Sequence, residues 1–211
     1  MRIDVWSDLV CPWCYIGKRR LERALAEFPD RHRVEIVHRS FQLNPSAPMR
    51  TTARRRDYLM AKYGWSAAQA EKIDADMERR AAADGLEYHL SPEGLTGNTF
   101  DAHQLVHLAG EHGRQDAAVE RFFRAYFTEQ RSLFDHASLA MLAIDVGLKS
   151  DDVQRVLDGD EYSDAVTADS SEARALGVTG VPFFVFDRRL GVSGAQAVEV
   201  FAEALTRALD N

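Results

Sequence analysis

The sequence predicts an α/β fold in which two β-rich ends enclose a long helical middle. The first 45 or so residues follow a β-α-β order. Residues from about 52 to 175 show repeated helical patterns with almost no strand pattern, and the chain then closes in the order β-β-α. We therefore place the two halves of the α/β unit at residues 1–47 and 167–211, and an all-helical insertion at residues 48–166.

The first half begins with a strand at residues 2–7, where Ile3 and Val5 alternate with polar neighbours that include Asp4. A helix then starts near residue 11 and stops before Pro29. Its apolar face contains Cys14, Gly17, Leu21, Ala24, Leu25 and Phe28, and its polar face contains Lys18, Arg19, Glu22, Arg23 and Glu27. Residues 33–43 are rich in β-branched and aromatic side chains and predict the second strand.

Helix-capping patterns and glycines divide the middle of the chain. Ser66 and Gln69 form a capping box for a helix that reaches about residue 83, and Asn98 with Asp101 caps the next helix. A third helix covers residues 115–130, two shorter helices end at Gly147 and Gly159, and a last one runs to Gly177. The third helix carries an aromatic stripe that we assign to core packing: Val119, Phe122, Phe123, Tyr126 and Phe127. The cluster Arg54-Arg55-Arg56 is expected on a solvated helix face.

The closing segment predicts a strand over residues 178–186 that is entered through Pro182, followed by a second strand at residues 190–193. An amphipathic helix ends the chain, with Val198, Phe201, Ala202, Leu205 and Leu209 on its apolar face.

Charge and apolar content narrow the range of partners. The formal net charge of −7 gives no electrostatic reason to expect nucleic acid. We expect no membrane partner, because the chain shows neither a secretory leader nor an apolar run of membrane-spanning length. The expected location is therefore the cytoplasm, where a lone pair of cysteines is more often catalytic than structural.

The only two cysteines form the motif Cys11-Pro12-Trp13-Cys14 between the first strand and the first helix. At a helix N-terminus, free backbone N–H groups and the helix dipole favour a negative sulfur at Cys11. The two-residue spacing brings Cys14 one turn away, where a disulfide can close and reopen. Half of a zinc site is the first alternative, but zinc needs four ligands and there is no second cysteine pair. Unreactive core thiols are the other alternative.

Three runs of residues carry a resemblance to a known family. They are residues 11–17, residues 98–103 (Asn-Thr-Phe-Asp-Ala-His) and residues 179–196, which begin Thr-Gly-Val-Pro-Phe-Phe. These runs resemble the DsbA family of thioredoxin-fold proteins. The match is closest to its cytosolic FrnE-like branch, which is related to 2-hydroxychromene-2-carboxylate isomerases and kappa-class glutathione transferases. The resemblance implies a thioredoxin-like fold and a thiol–disulfide exchange site at Cys11 and Cys14 that faces a cis Pro182.

The resemblance also implies the partners and the roles of the motif residues. Protein or small-molecule thiols and disulfides would be the substrates. No cofactor would be required, although glutathione or another small thiol could act as a co-substrate. The assembly would be a monomer or a homodimer. Cys11 would attack and Cys14 would resolve the mixed disulfide. Trp13 is expected to cover apolar substrate, and the backbone of Val181 would pair with an extended substrate peptide.

Other polar residues near these runs have open roles. Related proteins often carry a buried acid six residues before the first cysteine, and that position is Val5 here. Asp8 is nearer the motif and could serve Cys14 instead, or could cap a loop or be solvated. His103 could lie over the active-site groove, sharing it with Trp13, or could be structural; a metal shared with His107 lacks a third ligand. Asn98 is expected to cap a helix, with a role in the site as the alternative.

Two other classes of function remain open. One is a glutathione-dependent isomerase or transferase, although those branches usually replace the first cysteine by serine and lack the second. The other is a non-enzymatic partner-binding module, which would not need a redox-active pair.

Overall fold

The computed structural model describes residues 1–209 and has an α/β architecture. The strands are β1 (Arg2–Ser7), β2 (Glu35–Ser40), β3 (Thr52–Arg54), β4 (Leu95–Gly97), β5 (Phe183–Phe186) and β6 (Leu190–Ser193). The helices are α1 (Pro12–Ala26), α2 (Arg55–Tyr63), α3 (Ala67–Ala83), α4 (Phe100–Glu111), α5 (Gln115–Phe127), α6 (His136–Asp145), α7 (Ser150–Asp158), α8 (Ser163–Ala175) and α9 (Val198–Leu209). None of the helices in this described part of the chain is long and apolar enough to cross a membrane.

Both ends of the chain contribute to one four-stranded sheet with the order β2-β1-β5-β6. Strand β1 runs parallel to β2 and antiparallel to β5, and β5 is antiparallel to β6. Strand β1 is central and covered on both faces, so the polar side of its alternating pattern is buried as well. Asp4 lies on that second face, where the guanidinium of Arg39 donates to its carboxylate at 2.8 Å. The predicted β-α-β and β-β-α halves are confirmed.

Helices cover the two faces of this sheet. Helices α1 and α9 pack against Ile3 and Val5 on one face, and α8 packs with Trp6 on the other. The predicted insertion ends at residue 166, but this position lies inside helix α8, which packs on the sheet. The apolar face of α9 differs from the prediction at one residue: Ala202 is exposed, and Ala204 and Ala208 are buried instead.

The insertion is mostly helical, but it is not all-helical as the sequence predicted. Strands β3 and β4 pair as a two-stranded antiparallel ribbon, and β3 leads directly into α2. The expected solvated arginine face is also wrong for two of its three residues. The side chains of Arg55 and Arg56 are largely covered, because both contact the buried carboxylate of Asp74, at 2.8 and 3.1 Å.

The capping predictions had different outcomes. The capping box of Ser66 and Gln69 is present, and α3 ends at Ala83 as expected. At α4 the N-cap is Thr99, which makes no side-chain capping hydrogen bond, so the predicted cap at Asn98 is wrong by one position. Asn98 Oδ1 still accepts a hydrogen bond from the Phe100 backbone N–H at 2.9 Å. Asp101 does not complete a capping box, because its carboxylate lies 3.0 Å from the Nε2 atom of His136 on α6.

The predicted polar face of α1 is wrong at Lys18, which is only 5% exposed. Helix α5 of the insertion packs beside α1 and brings Asp116 and Glu120 to the Lys18 ammonium group, with Glu22 as a third carboxylate. The three negative charges outweigh the effect of burial and raise the pKa of Lys18. One side of α1 is therefore an interface between the sheet unit and the insertion.

Candidate active site

The two cysteines occupy the junction between β1 and α1. Cys11 precedes the helix and Pro12 takes its first position, where a missing N–H group costs no helical hydrogen bond. The backbone N–H of Cys11 donates to the Asp8 carbonyl at 3.0 Å, and that of Cys14 donates to the Cys11 carbonyl at 3.0 Å. Both thiols are free and buried. The turn thus holds Cys11 at the positive end of α1, with Cys14 one turn further along.

The two thiols differ in their electrostatic environment. Burial raises the pKa of Cys14 well above its ordinary value, and a hydrogen bond with Cys11 and the charge at Cys11 raise it further. A backbone hydrogen bond with Asp8 acts in the opposite direction. Cys14 is therefore a protonated thiol at neutral pH, and it needs a proton acceptor before it can attack a sulfur.

The second half of the chain closes the site from the other side. The Val181–Pro182 peptide bond is cis, as the resemblance implied. The Cys11 thiol donates a hydrogen bond to the Val181 carbonyl oxygen, with a sulfur-to-oxygen distance of 3.5 Å. A Cβ atom at Gly17 would lie 2.9 Å from Pro182 Cγ, so only glycine allows this approach of α1. The site is therefore assembled from residues about 170 positions apart in the chain.

A groove of about 750 Å³ opens above Cys11, between the sheet unit and the insertion. Pro12, Trp13 and Val181 line it on the side of the motif. Helices α2 and α3 line the opposite wall, together with the loop between them, through Tyr58, Leu59, Lys62, Tyr63, Trp65, Ile73, Asp74 and Met77. The insertion therefore covers the motif end of the sheet, as the sequence predicted. The volume is within the range of pockets that take small molecules.

Trp13 forms part of the groove wall and is half-buried. The guanidinium of Arg80, on α3, lies 5.7 Å from the centre of its indole ring. On the opposite wall, the ammonium group of Lys62 lies 5.5 Å from the ring centre of Tyr58 and 5.6 Å from that of Tyr63. The groove is thus mainly apolar and aromatic, with cations placed on its rings.

Sequence reasoning missed Tyr88 as a residue that supports the motif. Its hydroxyl donates to the Pro12 carbonyl at 2.8 Å, and its ring stacks on Phe127. Burial raises the pKa of Tyr88, and the charge at Cys11 raises it further, so the hydroxyl remains a donor. No local pattern could have identified it, because a single tyrosine in a loop has no spacing that links it to the motif.

Comparison with known proteins agrees with this geometry. Residues 2–206 match the DSBA-like thioredoxin domain family. The chain belongs to that family. It is 48% identical to a probable DsbA oxidoreductase from Streptomyces coelicolor. The alignment with that crystal structure covers 100% of this chain and 91% of the other chain, with a TM-score of 0.95. It is also 26% identical to YwbO of Bacillus subtilis, over 98% of this chain and 96% of YwbO.

Two more distant solved structures share the fold of this DsbA-like protein. The cytosolic disulfide reductase DsbM of Pseudomonas aeruginosa is 17% identical, covers 100% of this chain and 99% of its own, and has a TM-score of 0.68. A 2-hydroxychromene-2-carboxylate isomerase is 16% identical, covers 99% of this chain and 96% of its own, and has a TM-score of 0.74. Both likenesses show that the fold is shared, and the family match identifies it as thioredoxin-like.

The structure separates the remaining predicted site residues from the groove. His103 does not share the groove with Trp13: it is 2% exposed and lies behind Asp8, because the buried side of α4 packs under the motif. His107 contacts a different carboxylate, that of Asp169, at 3.0 Å. Asn98 donates to the Ala47 carbonyl at 2.7 Å and accepts from the side chain of Gln42 at 2.7 Å, so it fastens the segment that forms one edge of the groove.

Proposed function

We propose that this member of the DsbA-like thiol–disulfide oxidoreductase family is a cytosolic enzyme of the disulfide reductase or isomerase type. The observation that carries the proposal is the position of Cys11. Its sulfur lies at the N-terminus of α1, faces the Val181 carbonyl at 3.5 Å, and borders an apolar groove. A cytosolic location is supported by the cysteine content: the chain has a single pair, and in a reducing compartment such a pair is more often catalytic than structural.

The reaction uses the two cysteines in sequence. The Cys11 thiolate attacks a substrate disulfide, forms a mixed disulfide with one substrate sulfur and releases the other as a thiolate. Cys14 then attacks the Cys11 sulfur, which closes the Cys11–Cys14 disulfide and releases the second substrate thiol. Two electrons pass from the enzyme to the substrate. A reducing thiol restores the dithiol by the same steps in reverse.

The groove supports small disulfides and short extended peptides as the substrates. Its volume of about 750 Å³ accommodates a tripeptide-sized thiol, so we propose glutathione or another small thiol as the co-substrate. A structure of DsbM was solved with GSH. Trp13 would contact the apolar part of the substrate, and the carbonyl group of Val181 would accept a backbone hydrogen bond from an extended peptide. Pro182 would keep this position free of a side chain that competes for the sulfur.

Trapping experiments with two cysteine variants test this assignment. Cys14→Ser should accumulate mixed disulfides after reaction with oxidised insulin or with glutathione disulfide, because the thiol that resolves them is absent. Cys11→Ser should trap little and should not reduce insulin. Mass spectrometry of the intact protein distinguishes the two products. Equal trapping by both variants, or none by Cys14→Ser, would refute the proposed function.

A further inference from the structure

Asp8 and His103 form a buried pair beneath the motif. Asp8 is 1% exposed and His103 is 2% exposed. Their facing atoms, Asp8 Oδ1 and His103 Nε2, lie 3.6 Å apart. This separation is longer than a hydrogen bond, and neither atom has another hydrogen-bond partner. Buried polar atoms without partners are rare in folded proteins, so this pair calls for an explanation.

The two oxygens of Asp8 have different surroundings. Oδ2 accepts a hydrogen bond from the Leu43 backbone N–H at 2.7 Å, which is the loop-capping role that the sequence allowed. Oδ1 has no such role and faces the imidazole. The structure rules out a solvated carboxylate, since the side chain is covered. One oxygen therefore fixes the carboxyl group in place, while the other faces the imidazole without a hydrogen bond.

Charge balance explains what a carboxylate does at this position. The negative charge of Asp8 raises the pKa of Cys14, and so opposes formation of a second buried anion beside it. A proton that passes from the Cys14 thiol to the Asp8 carboxylate leaves one negative charge in the buried site throughout. A proton that leaves for solvent would instead create two adjacent buried anions, which is far costlier.

We propose that Asp8 accepts the proton of Cys14 when the mixed disulfide is resolved, and that His103 is the residue that positions and stabilises Asp8. In this step the Cys14 S–H bond breaks and its proton binds Asp8. The Cys14 sulfur forms a bond to Cys11, the bond from Cys11 to the substrate sulfur breaks, and the substrate leaves as a thiolate that later takes up the proton. The substrate disulfide is the oxidant, so the inference rests on the proposed function.

Few other titratable groups face Asp8 in the described residues. His103 approaches from α4 and Cys14 from α1, and Cys11 is joined to Asp8 by the backbone hydrogen bond of the turn before α1. Tyr126 of α5 experiences the charge of Asp8, but Arg55 and Asp74 act on it too. Val5, on β1, offers no proton acceptor. The pair is therefore the buried acid–base group that can serve Cys14.

Dithiobis(nitrobenzoate) separates the two chemical steps in the intact protein. Each equivalent releases one coloured thionitrobenzoate when Cys11 attacks, and a second when Cys14 resolves the mixed disulfide. Asp8→Asn should leave the first phase unchanged and slow the second by about a hundredfold at neutral pH, the usual size of a general-base contribution. The difference in second-phase rate between Asp8→Asn and the wild-type protein should become smaller as the pH rises, because hydroxide then removes the Cys14 proton.

Two histidine variants complete the test. His103→Gln should slow the second phase by about tenfold, within the range of a residue that supports a reacting group. His107→Gln, one turn away on α4, should leave both phases unchanged. A wild-type second phase in Asp8→Asn, or a deficit of equal size at every pH, would overturn the proposal. If Asp8→Asn does not fold, the pH dependence of His103→Gln decides the question in the same way. If the wild-type protein releases no thionitrobenzoate, the proposed function itself fails.

Discussion

Replacing Gly17 by alanine tests how closely α1 and the Pro182 turn are packed. The new Cβ atom would lie 2.9 Å from Pro182 Cγ and 3.1 Å from Phe184 Cζ. Carbon atoms pack best at about 3.5–4.0 Å, so Pro182 or the helix must move by roughly 0.6 Å. Overpacking of this kind costs about 1–3 kcal/mol. Alanine in a helix regains about 0.5–1 kcal/mol relative to glycine. We therefore expect the free energy of unfolding to fall by about 1 kcal/mol.

A second glycine variant isolates the packing term. Gly110 lies at an exposed position of α4, where a new Cβ atom would meet only the flexible end of the Gln115 side chain, at 3.3 Å. Gly110→Ala should therefore be neutral or stabilising. Urea denaturation should place the two variants about 1–3 kcal/mol apart in free energy of unfolding. The first phase of thionitrobenzoate release should also slow in Gly17→Ala alone, since Cys11 and Val181 shift. Equal stabilities in the two variants would refute this account of the packing.

Two further expectations concern the ion cluster between α1 and α5. Lys18→Met should lower the free energy of unfolding by about 1–3 kcal/mol, which is less than for a fully buried pair because the carboxylates are partly exposed. Arg19→Met should lower it by a smaller amount. If urea denaturation gives the reverse order for the two variants, the expectation is wrong. Burial alone would raise the pKa values of Asp116 and Glu120, but His38 and Lys18 lower the first, and Lys18 the second. Their stabilisation is complete above the ordinary values of 3.8 and 4.5 and is lost as the pH falls through the lower folded values. The urea concentration at the midpoint of unfolding should therefore fall when the pH is lowered below about 4.5, and it should fall less in Lys18→Met. A midpoint that does not change with pH in the wild-type protein would contradict this expectation.

The features that sequence could predict are those set by near neighbours in the chain. The junction of β1 and α1 at Cys11, and the capping box of Ser66, depend on residues within one helical turn. The helical periodicity of α5 likewise follows from spacing alone. The cis bond before Pro182 came from a resemblance, and it too belongs to a short run of residues.

The features that sequence could not predict depend on contacts between distant segments. Strands β3 and β4 have three residues each and are separated by about 40 positions, so neither shows a measurable alternation. Arg55 and Arg56 have the composition of a solvated face, and only the position of Asp74 on α3 makes them partners of a buried carboxylate. The burial of His103 behind Asp8 likewise follows from the way α4 packs beneath the motif.

The packing of the insertion affects how the Cys14 thiol can lose its proton. The insertion covers the motif end of the sheet and thereby creates the groove, but the same packing removes water from Cys14 and raises its pKa. A resolving thiol in such a place cannot lose its proton to solvent at low cost. A buried proton acceptor beside the thiol lowers this cost. Asp8 is the acceptor that we propose, because one of its oxygens is held by the Leu43 backbone N–H and the other has no hydrogen-bond partner.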